Sequence, residues 1–111
     1  MSIERLSPEG SERLSGEAFD RAAAAIAALK QAPRIDSGSV VWGSATLLRA
    51  VTRDGIALSL QVKPVANGAA VRVTADPASR EPSRAAPDAA AIHGLRMNAY
   101  RLGPEAAALL P

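Results

Sequence analysis

Two runs of the chain alternate strictly between apolar and polar or small positions. In GIALSLQVK, Ile56, Leu58, Leu60 and Val62 point one way, and Ala57, Ser59, Gln61 and Lys63 the other. In AAVRVTAD, Ala69, Val71, Val73 and Ala75 oppose Ala70, Arg72 and Thr74. A period of two belongs to strands with one face on a core and one toward water. Between the runs lies PVANG, whose Asn67-Gly68 pair is a strong turn signal. Residues 56–75 therefore read as an antiparallel hairpin. Pro64 has no N–H to give to a ladder, so the first strand is expected to end at or just after Lys63.

A different period marks SGEAFDRAAAAIAALKQAP. Phe19, Ala22, Ile26 and Leu29 recur at spacings of three, four and three, which places them on one face of a helix. Seven alanines between Ala18 and Ala28 favour that helix. Ser15 is placed to cap it, Glu17 and Asp20 sit near its positive end, Lys30 near its negative end, and Pro33 stops it. Ahead of it, residues 1–14 mix Ser, Pro, Gly and charge and read as a flexible arm.

Between helix and hairpin lies SVVWGSATLLRAVTRDG, with the only tryptophan of the chain. The β-branched SVVW predicts a strand over 39–42. Residues 44–54 fit either a helix capped by Ser44 or a strand turning at Asp54-Gly55, and the strand is the favoured reading. Trp42 is then expected to cap the alanine-rich helix against the sheet, the alternative being a binding aromatic at the surface. After Asp76, prolines at 77, 82 and 87 mark an exposed loop over 77–87. From Pro87 or Asp88 a second helical pattern follows, with Ile92, Leu95, Ala99 and Leu102 at spacings of three, four and three. PEAAALLP gives at most a short final turn.

The predicted fold is α+β and two-layered. Its N-terminal helix packs on a three- or four-stranded antiparallel meander with a C-terminal helix, in a single domain over 15–111. Composition adds a constraint. Of 111 residues 25 are alanine and only three are aromatic, so the core must rest on Ile, Leu and Val.

Chemistry is sparse. With no cysteine there is no disulfide, thiolate nucleophile or cysteine zinc site, and one histidine, His93, offers no metal set. No phosphate-binding glycine loop occurs. The acidic residues Glu9, Glu12, Glu17 and Asp20 interleave with arginines as a solvated helix start does. No catalytic, cofactor-binding or metal-binding residue is nominated. With no signal segment and no apolar run of membrane length, the expectation is a soluble, cytoplasmic protein. Net charge is only +2 and is spread evenly along the chain. The most suggestive binding feature is C-terminal: Arg80, Arg84, Arg96, Tyr100 and Arg101 form a candidate interaction surface, because Arg and Tyr recur at interface hot spots. The functional expectation is a non-enzymatic protein-interaction module that docks on a partner protein or self-associates. A polyanion or nucleic-acid binder using the same arginines is the alternative, and a small-molecule pocket or enzyme using His93 or Tyr100 comes third.

Overall fold

The alternation legible in two runs extends over much more of the chain. The computed structural model describes residues 1–53, 55–75, 94–95 and 97–110. Among the described residues there are seven strands: β1 (Ser2–Ser7), β2 (Gly10–Arg13), β3 (Arg34–Ile35), β4 (Thr46–Val51), β5 (Ala57–Val65), β6 (Gly68–Ala75) and β7 (Asn98–Leu102). All pair antiparallel, in the order β2-β1-β4-β5-β6-β7-β3. Among the described residues the only α-helix is α1 (Gly16–Ala28), continued by a 3-10 turn over Leu29–Gln31. The expected domain of three or four meander strands with two helices is therefore corrected to a seven-stranded sheet with one helix.

Three segments account for the difference. The expected arm forms the β1–β2 hairpin, and β1 also pairs with β4. Its alternation is hidden because its core-side positions are Ile3 and Arg5, opposite Ala50 and Leu48. Arg5 pairs with Glu12 at 3.5 Å and donates from Nη2 to the Leu110 carbonyl at 3.1 Å, while its buried Nε has no partner. At the other end, Ala99 and Leu102 do not share a helix face. They lie in β7, with Ala99 opposite Arg72 and Leu102 opposite Ala69, on opposite sides of the sheet. The remainder of the expected second helix before Gly94 lies outside the described residues, as does the 77–87 loop. The strand expected over 39–42 is also absent: a 3-10 turn spans Ser37–Ser39, and no regular element covers residues 40–45.

The central hairpin stands, with a modified turn. Ala66 and Asn67 occupy it, Asn67 taking the left-handed conformation at φ 62, and Gly68 already pairs with Val65 in the ladder. Gly68 serves a different need, because a Cβ there would overlap the Leu102 carbonyl oxygen of β7. Nor does Pro64 end β5, which runs to Val65. The two-residue turn makes Val65–Gly68 the hydrogen-bonded pair, so position 64 turns its N side away from β6. On that side β4 reaches no further than Thr46 opposite Val62, and no ladder bond is lost.

One face of the sheet carries the core. Leu48, Leu58, Leu60, Val62, Val71, Val73 and Leu102 pack with Ala22, Ala25, Ile26 and Leu29 of α1. Phe19 completes the helix face from a half-buried position. Ser15 occupies the N-cap site but makes no side-chain capping bond. The C-terminal 3-10 segment Pro104–Leu109 lies against α1 and inserts Ala106 and Leu109 into the same core.

Topology then dictates a wrapping path. β2 and β3 form opposite edges, so α1 carries the chain from one edge to the other across the core face. β4 lies between β1 and β5, so residues 36–45 must return over β7, β6 and β5. They do so on the opposite face, as a strap.

Candidate functional site

The strap begins with a local device. Asp36 accepts from the Gly38 N–H at 3.0 Å through Oδ1, and its carbonyl accepts from the Ser39 hydroxyl at 2.6 Å. Such short-range bonds are why Asp and Ser favour turns. Trp42 Nε1 then donates to the Ser37 carbonyl at 2.9 Å, which closes the strap into a compact arch. Its ring lies beneath the guanidinium carbon of Arg72, 4.9 Å from the centroid, in a cation–π contact. Arg72 is oriented by Gln61, whose Oε1 accepts from Nε at 2.5 Å. Lys63 donates from Nζ to the Gly43 carbonyl at 2.6 Å.

These contacts fix the side on which the strap lies. Arg72 alternates with the core residues Val71 and Val73, so its side chain leaves the sheet on the face away from α1. The expectation that Trp42 caps the helix against the sheet is therefore corrected. Trp42 is half-buried on the other face, outside the core cluster. Ala70 and Ala99 share that face with Arg72 and are nonetheless buried, small side chains that let the strap and its tethers come close.

The strap side also carries unburied apolar side chains. Among the described residues the large exposed hydrophobics are Met1, Val41, Leu47 and Met97, and Val41 and Met97 are 80% and 79% exposed. Val41 is on the strap itself. Leu47 pairs with Leu6 and Gln61 on the strap side of the sheet. It borders a shallow groove of about 520 Å³ lined by Leu6, Ser7, Pro8, Ser44, Ala45 and Leu47, with no ionisable side chain. Met97 edges a smaller hollow with Ser37, Arg72 and Thr74. On the other side of the molecule, a groove of about 470 Å³ between α1 and the C-terminal segment is floored mainly by alanine and flanked by Arg21 and Glu105.

Of the residues nominated from sequence, Tyr100 and Arg101 are described, and they leave opposite faces of the sheet. Tyr100 faces the core, 3% exposed, and its hydroxyl donates to the Leu95 carbonyl at 3.0 Å. Arg101, one position on, points to the strap side and donates to the Ala66 carbonyl at 2.6 Å. Arg80, Arg84, Arg96 and His93 lie outside the described residues. The residues missed from sequence are Val41, Leu47 and Met97. For Leu47 the signal was its alternation with the core residues Leu48 and Ala50 in a strand already read at 44–54, which turns Leu47 outward.

No group of three or more His, Cys, Asp or Glu side chains placed to hold a metal occurs among the described residues. No described helix is long and apolar enough to cross a membrane. Comparison of the chain with protein-family models, curated proteins and solved structures returns no match.

Proposed function

We propose that this chain is a non-enzymatic interaction module that docks on a partner protein through the strap side of its sheet. The observation that carries the reading is the position of the exposed large apolar side chains. Val41, Leu47 and Met97 all lie on the strap side, and Leu47 opens onto an apolar groove without charge. A neutral apolar groove suits a side chain of another protein better than it suits a phosphate backbone, which calls for converging cations. Three of the described cations on that side are engaged within the molecule: Arg72 with Trp42 and Gln61, Lys63 with Gly43, Arg101 with Ala66. The sheet edges suit strand addition poorly. β2 is four residues long, with an adjacent Glu and Arg, and β3 has two residues; short charged edges resist pairing.

The test is positional cross-linking. A photoreactive side chain at position 47 is expected to give a discrete adduct in an extract of the source cells. The same group at position 24, on the exposed side of α1, is expected to give none. An adduct from position 24 alone would move the docking face to the helix side and overturn the reading.

A further inference from the structure

A second feature, independent of the strap side, lies where α1 ends. A cavity of about 270 Å³ is lined by Lys30, Ala32, Arg34, Gly94, Leu95 and Tyr100. Its two cationic residues arrive from different elements, Lys30 from the 3-10 turn after α1 and Arg34 from β3. Arg5, Arg21, Lys63, Arg72 and Arg101 are each tied to a carboxylate, carbonyl, amide oxygen or ring. Among the described residues, the side chains of Lys30 and Arg34 make no such contact and no carboxylate lines the cavity. Lys30 offsets the negative end of α1, so Arg34 leaves the cavity with positive charge that none of the described lining residues balances.

We propose that this cavity binds a compact phosphoryl group. A phosphomonoester carries about −1.5 to −2 charge near neutral pH and three acceptor oxygens. It can therefore accept from two cations that approach from separate elements. Arg34 supplies a planar pair of donors and Lys30 a point charge. The cavity is larger than a phosphate ion, and Ala32, Leu95 and Tyr100 give the remaining wall an apolar character. A phosphate ester whose carbon side contacts that wall fills the space better than a free ion.

Nuclear magnetic resonance titration of the full chain at low ionic strength tests this. The probes are inorganic phosphate, phenyl phosphate and acetate, with sodium chloride matching the ionic strength. The expected result is saturable amide shifts centred on Lys30, Ala32, Arg34, Gly94, Leu95 and Tyr100, with phenyl phosphate binding more tightly than inorganic phosphate. The double variant Lys30→Gln/Arg34→Gln should lose at least tenfold in affinity while its spectrum stays folded, since neither side chain holds a hydrogen bond or ion pair among the described residues. Equal phosphate and phenyl phosphate affinities would assign the site to free phosphate. Equal shifts with acetate or chloride, or titration that survives in the double variant, would overturn the proposal. Failure here leaves the strap-side reading untouched, because no residue is common to the two surfaces.

Discussion

Trp42 shows how little a residue type says about its side of a sheet. As the largest side chain in an alanine-rich chain it invites a core assignment, yet Arg72 and the Ser37 carbonyl hold it on the face away from α1. The cation–π contact is worth about 0.5–1 kcal/mol at an exposed site. Trp42 fluorescence should therefore be open to acrylamide quenching in the folded protein, and Arg72→Met should raise its quenching constant further. A blue-shifted, unquenchable emission would return Trp42 to a sealed core. Gly68 shows the converse, a residue whose turn-forming reputation masks a packing role. Because a Cβ at this position meets the backbone of β7 and not a yielding side chain, Gly68→Ala should cost about 2–3 kcal/mol, within the range for overpacking. Urea denaturation measures that loss directly.

At the level of elements, what could be read depended on whether apolar spacing was unambiguous. α1 was legible because Ala22, Ile26 and Leu29 have one periodicity and are all buried. β5 and β6 were legible for the same reason at period two. β7 was not, since Asn98, Tyr100 and Leu102 make a strand face while Ala99 and Leu102 also satisfy helical spacing. The β1–β2 hairpin was hidden by chemistry. A strand whose second inward residue is an arginine shows no apolar alternation, and its worth depends on Glu12 and the Leu110 carbonyl, which are distant in sequence or only paired in the fold. Deleting residues 1–13 is therefore expected to abolish cooperative unfolding, because it strips Ile3 and two strands from the sheet and bares β4. Circular dichroism thermal melts check this; an unchanged midpoint would restore the flexible-arm reading.

Across the whole molecule, the chain encircles its own sheet, with α1 crossing one face and the strap crossing the other. That path was out of reach for sequence reasoning, because the pairing of β1 with β4 and of β3 with β7 sets it, and neither pair is adjacent in sequence. The candidate surface moved with the topology. Tyr100 became core, Arg101 went to the other face, and Val41, Leu47 and Met97 gathered on the strap side. The docking reading rests on those side chains, so the most direct measurement is quantitative affinity capture from an extract of the source cells. It compares the wild-type chain with Val41→Asp/Leu47→Asp. Both side chains are exposed, so the variant should unfold within about 0.5 kcal/mol of wild type, as surface substitutions usually do. The account predicts a protein, or a second copy of this chain, retained by wild type and reduced at least tenfold on the variant. Equal recovery on a variant that remains folded would contradict it.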